Sequence, residues 1–226
     1  MEARGCASGQ PLPDAPAWST NACNHCKVPR KQRRDKKKKP AFYKPDAKSK
    51  EDNEDKLVKF GDLITSDHIM ALNERSKSRH GDTTAHTCRD RATRWLEGFP
   101  AANESKTNII AQIHQLLGSE TCKRWYSDGA PELHAACKDL GVLHDVATPD
   151  RHETNGVVER ANRNLIEGTA CVLFQSGLPH KYWPDAMKCF CQHHNVHHEV
   201  EGSKTLWNLR KGTKFEGTLL PFGSKV

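Results

Sequence analysis

The sequence has no run approaching the ~20 consecutive apolar residues that a membrane-spanning helix needs, and its N-terminus has no apolar signal core. Its nine cysteines are odd in number and scattered, apart from Cys23/Cys26 and Cys189/Cys191, which is not the pattern of a secreted disulfide scaffold. These absences argue against a membrane protein and against a disulfide-stapled domain. We therefore expect a soluble, intracellular protein with reduced thiols.

Positive charge is concentrated in one short segment. The formal net charge is +7, but Lys27 to Lys39 contains nine Lys or Arg and one Asp, which leaves the rest of the sequence slightly acidic. Such a cluster can neutralise DNA phosphates and resembles a nuclear-import signal, although a solvated tail without a partner is the alternative. We expect a nuclear protein. The DNA contacts predicted in this segment are Arg33, Arg34, Lys36, Lys37, Lys38 and Lys39.

Regular structure is predicted only from residue 57 onwards. Residues 1–22 show no sustained hydrophobic period and residues 27–56 are dominated by charge, so neither can bury enough apolar surface to offset the entropy of ordering. We predict a disordered basic N-terminal arm, made of a disordered stretch over 1–22 and a linker within 23–56. A folded core over 57–200 and a C-terminal extension over 201–226 follow.

The core sequence predicts an α/β fold. Several β-like runs come first and alternating helical and β-like segments follow, which implies a mixed sheet flanked by helices on both faces. The first strand is predicted to end near Asp67, and the strand TCKRWYSD ends at Asp128. A long helix is predicted from Thr154 to Phe174, with Glu159 near its start. A ribonuclease H-like core is compatible with this order.

Three carboxylates, Asp67, Asp128 and Glu159, are candidate ligands for divalent metal ions. Two-metal phosphoryl transfer needs anionic oxygen ligands that converge from several elements, and strand ends and a helix start can converge. The alternative is that these are three solvated residues among 28 acidic ones. On the long helix, spacings of three and four residues place one polar face outside the apolar stripe. That face consists of Asn155, Glu159, Asn162 and Arg163.

One string distinguishes between these readings. The segment ATPDRHETNGVVERANRNLIEG resembles the stretch around the catalytic glutamate of copia-type retrotransposon integrases. FGDLITSDHI is similar to the family's first-aspartate strand, CRDRATRW to the next strand, and WYSDGAPEL to the strand and turn with the second aspartate. GLPHKYWPDAMKCFCQHHN is similar to a later family helix. The resemblance extends over about residues 23 to 226.

The resemblance implies a ribonuclease H-like integrase core in which Asp67, Asp128 and Glu159 are the D,D,E ligands of Mg²⁺ or Mn²⁺. Asp62 is the second choice for the first carboxylate. The family reaction uses water and then a DNA 3′-hydroxyl in successive attacks on phosphodiesters, by a homo-oligomer that holds two DNA ends. The residues implied near the element DNA end are Asn155, Arg160 and Arg163.

Two departures from the family pattern concern the second aspartate. Thirty residues separate Asp128 and Glu159, which is shorter than the usual retroviral spacing, and Gly129 stands where the motif often has Asn.

The cysteine pair Cys23 and Cys26 has the two-residue gap that suits one zinc ion, but a pair is only half a tetrahedral site. In the resembled family an upstream His pair completes a zinc module, and residues 1–22 here contain no His. We therefore interpret residues 23–56 as a partial zinc-module remnant with a basic linker. Two unligated thiols are the alternative to zinc.

Three functions follow as hypotheses. The first is an integrase that processes DNA ends and joins them to target DNA. The second is a catalytically inactive retroelement remnant that binds nucleic acid through its basic arm, in line with the missing His pair. The third is a metal-dependent nuclease that cuts DNA without joining it.

Overall fold

A computed structural model describes residues 57–70, 77–146, 152–200 and 202–225, and for residues 152–155 it describes the backbone alone. The predicted arm over 1–56, with Cys23, Cys26 and the basic segment, lies outside the described residues. All six cysteines in the described ranges are free thiols. Among the helices described, none combines the length and the apolar composition needed to cross a membrane.

The centre of the fold is a mixed five-stranded sheet with the order β3-β2-β1-β4-β5. The first three strands form an antiparallel meander, whereas β4 pairs in parallel with both β1 and β5. The strands are β1 (Ile64–Met70), β2 (Thr84–Asp90), β3 (Leu96–Ala101), β4 (Arg124–Ser127) and β5 (Leu143–Val146). The first strand continues three residues past the predicted end at Asp67, because β2 pairs with it as far as Met70.

The helices begin and end at local signals in the sequence. The hydroxyl of Ser105 accepts a hydrogen bond from the Asn108 N–H at the start of α1, Gly118 ends that helix, and α2 begins at Pro131. The helices are α1 (Lys106–Leu117), α2 (Pro131–Asp139), α3 (His152–Ser176), α4 (Trp183–His197) and α5 (Leu206–Lys211). A 3-10 turn at His180–Tyr182 precedes α4, and a short ribbon, β6 (Glu199–Val200) and β7 (Lys204–Thr205), precedes α5.

Each face of the sheet has its own apolar core, as expected for helices on both sides. On one face, Ile64 and Trp125 are fully buried in a cluster with residues of α1 and α2. On the other face, Ala85 packs with Leu165 and Met187 from α3 and α4. Because side chains alternate along a strand, residues next to Ile64 and Trp125 point toward α3. This alternation decides which polar side chains can meet above the sheet.

The short helix α5 is fastened to the core by Arg210. Its guanidinium donates to the carboxylate of Glu120 and to the carbonyl of Leu116, each at 2.6 Å. It also lies over the rings of Phe60, at 3.6 Å from the centroid, and of Trp95, at 4.5 Å. A planar guanidinium can stack and donate in several directions at once, which an ammonium cannot do. The boundary at residue 200 stays a prediction, although α5 packs on the preceding residues.

Replacing Arg210 with Lys should destabilise the fold by about 2–4 kcal/mol, because Arg210 is only 6% exposed and the half-buried Glu120 carboxylate and the Leu116 carbonyl lose the guanidinium that fits them. The free energy of unfolding in denaturant measures this loss. Lys211→Ala is the control, since Lys211 is exposed and only 3.7 Å from the same carboxylate, and it should cost less than about 0.5 kcal/mol. Equal losses in the two variants would contradict the role given to Arg210.

Glu97 on β3 is a carboxyl group held in an apolar place between the sheet, α4 and α5. Burial raises its pKa to about 7, against the hydrogen bond from the Trp95 indole N–H and the charges of Arg210 and Lys188. The folded state therefore favours the protonated form.

Glu97→Gln should remove this pH dependence. Below the unfolded pKa near 4.5, wild type and variant should be about equally stable, since Gln also accepts the Trp95 hydrogen bond. As pH rises toward 7 the wild type loses stability, and at pH 8 the variant should be more stable by on the order of 3 kcal/mol. Unfolding at pH 4 and pH 8 measures the difference, with the exposed Glu167→Gln as control. If wild type and Glu97→Gln differed in stability by the same amount at pH 4 and at pH 8, the raised pKa of Glu97 would be refuted.

Candidate active site

Asp67 and Asp128 lie near each other, just past the point where the pairing of β1 with β4 ends. Strands β1 and β4 are parallel, and their last paired residues are Thr65 and Tyr126. Each aspartate is two residues further along its strand direction, so both side chains point to the face that α3 covers. Burial raises the pKa of Asp67, and the nearby charge of Asp128 raises it further. The two carboxylates therefore repel each other in a partly buried place.

Asn162 of α3 is in direct contact with Asp67. Its side-chain amide donates to Oδ2 of Asp67 at 2.7 Å, while the His68 backbone N–H donates to Oδ1 at 2.8 Å. The carbonyl oxygen of the same Asn162 amide is buried and has no hydrogen-bond partner. A buried acceptor beside two carboxylates is an environment that a cation or an ordered water would satisfy.

Glu159 lies on α3 one turn before Asn162, with its side chain exposed. Within the described ranges, no three His, Cys, Asp or Glu side chains are close enough to share a metal ion. The structure thus brings Asp67, Asp128 and Asn162 together and leaves Glu159 at the neighbouring turn. The convergence of all three carboxylates remains a prediction.

Asp62, the second choice for the first carboxylate, already has partners. Its Oδ1 forms an ion pair with the Lys123 ammonium at 2.7 Å, and its Oδ2 accepts from the backbone N–H groups of Val58 and Lys59. The hydrogen bond from Lys123 is the main reason that its pKa falls to about 2. These contacts stabilise the entry into β1, which favours Asp67 as the candidate metal ligand.

The basic residues predicted on α3 are accessible. Arg160 and Arg163 are both exposed, and the Arg160 Nε donates to the Gly156 carbonyl at 3.0 Å. Burial lowers the pKa of Arg89 and of Arg91, and the positive charge of Arg160 lowers both further. A group of arginines therefore extends from α3 to the end of β2.

Sequence reasoning missed Arg89 and Arg91, although the arginines of CRDRATRW were visible in it. The side chain of Asn155 lies outside the described residues, as do Arg33, Arg34, Lys36, Lys37, Lys38 and Lys39.

The chain matches one curated protein in part. No family model matches it. Over 91 residues it is 30% identical to the retrovirus-related Pol polyprotein from transposon TNT 1-94 of Nicotiana tabacum. The match covers 37% of this chain and 7% of the polyprotein, so it corresponds to a small part of that protein.

Three solved structures share the fold described above. The catalytic core domain of BIV integrase has a TM-score of 0.51 at 20% identity, over 67% of this chain and 95% of that one. The HTLV-2 integrase catalytic core domain in complex with magnesium, in a trimeric form, has a TM-score of 0.52 at 17% identity, over 68% and 98%. This chain shares the fold of these integrase catalytic cores. A chain of the simian T-cell lymphotropic virus intasome in complex with PP2A regulatory subunit B56 gamma has a TM-score of 0.56 at 18% identity, over 67% and 55%.

The local geometry at Gly129 explains why this residue departs from the motif. This residue follows Asp128 with φ +89°, and a Cβ on it would lie 2.6 Å from Cγ1 of Val146. An Asn tolerates positive φ, but here its side chain would meet the neighbouring strand. Glycine at this position therefore avoids a clash with Val146 on β5.

Asn162→Ala should raise the pKa of Asp67 further, because the hydrogen bond from Asn162 favours the charged carboxylate. A carbon-13 NMR titration of the Asp67 carboxyl group measures this shift. Asn164→Ala is the matched control, since Asn164 is on the same helix and faces His194. An Asp67 titration that is identical in wild type and Asn162→Ala would contradict the contact.

Proposed function

We propose that this chain contains the catalytic core of a retrotransposon-type integrase, which processes DNA ends and joins them to target DNA. The observation that supports this most is the packing of α3 over two adjacent carboxylates, through the 2.7 Å contact of Asn162 with Asp67. That contact supports a position for the turn that bears Glu159 near Asp67. These three residues are the proposed catalytic ligands.

The residues present fit a hard divalent cation such as Mg²⁺ or Mn²⁺. Asp67 and Asp128 offer anionic oxygens at one place, and their mutual repulsion would be relieved by a cation. The unpartnered carbonyl oxygen of Asn162 is a further acceptor at the same place. Asp67, Asp128 and Glu159 would hold the ions, which stabilise charge on the attacking and leaving oxygens when bound. The HTLV-2 relative is described in complex with magnesium.

The chain's own basic residues would hold the DNA. Arg160 and Arg163 are exposed on α3, the helix that carries Asn162, and Arg89 lies close to Arg160. Guanidinium groups bind phosphates in a bidentate manner without reading the bases, so this binding should weaken with salt. Residues 27–39 would add phosphate contacts and act as a nuclear-import signal, and Asn155 would lie near the element DNA end. Zinc at Cys23 and Cys26 stays a secondary proposal.

Joining needs no external energy source and no covalent enzyme intermediate. In the first step water attacks a phosphodiester and releases a 3′-hydroxyl on the element end. In the second step that hydroxyl attacks a target phosphodiester, and the target's own 3′-oxygen leaves. The first step is a hydrolysis, and the second makes one phosphodiester for the one it breaks, so the protein's task is to position the reacting groups and to stabilise charge. Because two element ends must be joined, we propose that the chain works as a homo-oligomer.

An inactive remnant that only binds DNA is the second candidate. The observation in its favour is the outward position of Glu159, which does not form a three-residue metal group with its neighbours in the described part of the chain. Under this alternative the arginines of α3 would still bind phosphates in a salt-dependent manner.

Strand transfer of a labelled DNA end, assayed with Mn²⁺, tests the proposed function. Asp128→Asn keeps the side-chain shape but removes a charged ligand, and it should lower the yield of joined products roughly 100-fold or more. Asp139→Asn is the matched control, because Asp139 is an exposed acid of α2 paired with Lys106, and it should join DNA as the wild type does.

Two other outcomes are informative. Salt-sensitive DNA binding without joined products in any of the proteins would favour the inactive remnant. Cleavage without joining would favour a metal-dependent nuclease on the same fold.

A further inference from the structure

The serine that precedes Asp128 ties the aspartate's turn to the sheet. Ser127 is the last residue of β4 and is 1% exposed. Its hydroxyl accepts a hydrogen bond from the Gly129 N–H at 3.3 Å, across the aspartate between them. The direction in which Asp128 leaves the strand therefore depends on where the Ser127 hydroxyl is held.

His144 contacts that hydroxyl, and His134 contacts His144 in turn. The Nε2 of His144, on β5, lies 2.9 Å from the Ser127 Oγ, and the Nδ1 of the same ring lies 3.1 Å from the Nδ1 of His134 on α2. The rings of His134 and His144 also pack with centroids 5.4 Å apart. Ser127, His144 and His134 thus form one hydrogen-bonded chain from the surface of α2 to the turn of Asp128.

These three hydrogen-bonded side chains approach Asp128 from the far side of the sheet. Ser127 alternates with Asp128 along β4, so it points toward α1 and α2 while Asp128 points toward α3. The arrangement resembles a nucleophilic serine with a histidine base, but the buried hydroxyl offers no access to a substrate. It can therefore act on Asp128 through the backbone of the turn, in addition to the charge interaction between Asp128 and the His144 imidazole.

Asp67 is supported in a similar way. The residue before it, Ser66, is also buried and points to the same far face. Its hydroxyl accepts a hydrogen bond from the Trp125 indole N–H at 2.7 Å. Asp67 and Asp128 are therefore each preceded by a serine that is hydrogen-bonded on the opposite face of the sheet.

We propose that Ser127, His144 and His134 are positioning residues that hold the Asp128 carboxylate in place for metal binding. This inference rests on the proposed function, since it assigns how one of its metal ligands is oriented. Metal ligands need such support because affinity depends on fixing the ligand before the ion arrives, and loss of a supporting hydrogen bond typically costs 10–100-fold in affinity or activity.

Mn²⁺ binding to the full-length chain tests this inference without requiring catalysis, through loss of the free-ion electron paramagnetic resonance signal. We expect Ser127→Ala and His144→Phe each to weaken Mn²⁺ binding about 10-fold. Ser127→Thr keeps the hydroxyl and should restore the wild-type affinity. His114→Phe is the matched imidazole-to-phenyl control, since His114 is exposed on α1, and it should bind Mn²⁺ as the wild type does.

The outcomes separate the two proposals. Wild-type Mn²⁺ affinity in folded Ser127→Ala would overturn the positioning role and leave the metal site intact. A wild type that does not bind Mn²⁺, or binding that is insensitive to Asp128→Asn, would overturn the proposed function and this inference together. If His144→Phe fails to fold by circular dichroism, the comparison of Ser127→Ala with Ser127→Thr decides.

Discussion

The parallel pairing of β1 with β4 is the constraint on which the candidate site depends. It brings two aspartates close together on one face of the sheet, because each is two residues past the last position at which β1 and β4 pair. Burial is the main cause of the raised pKa of Asp67, and the nearby negative charge of Asp128 adds to it. Strands β1 and β4 stay in place despite this repulsion, because the apolar clusters on both faces of the sheet hold them without help from the acids.

The surroundings of the pair then have distinct tasks. On the near face, α3 supplies Asn162 as a donor to Asp67 and carries Glu159 and the exposed arginines one turn away. On the far face, the hydroxyls of Ser66 and Ser127 are hydrogen-bonded to the buried Trp125 and to the half-buried His144. The site is therefore built on strands and a helix rather than on loops, which favours precise placement of its ligands.

Much of this architecture was predictable from the sequence, and the reasons for the rest are physical. Local patterns predicted the strands and helices, because alternation, caps and glycine stops act over a few residues. The contact between Asn162 and Asp67 joins residues 95 positions apart, so no local pattern contains it. The helical spacing did place Asn162 on the same face as Glu159, but a face does not identify its partner. The parallel register and the fastening of α5 by Arg210 are long-range in the same sense.

Crystals grown with Mn²⁺ and measured at the manganese absorption edge would show whether the carboxylates above β1 and β4 form a metal site. We expect anomalous peaks about 2.2 Å from carboxylate oxygens of Asp67 and Asp128, with the Glu159 side chain turned inward to complete the site. Peaks only elsewhere on the protein, or none at Asp67 and Asp128 at saturating Mn²⁺, would contradict it.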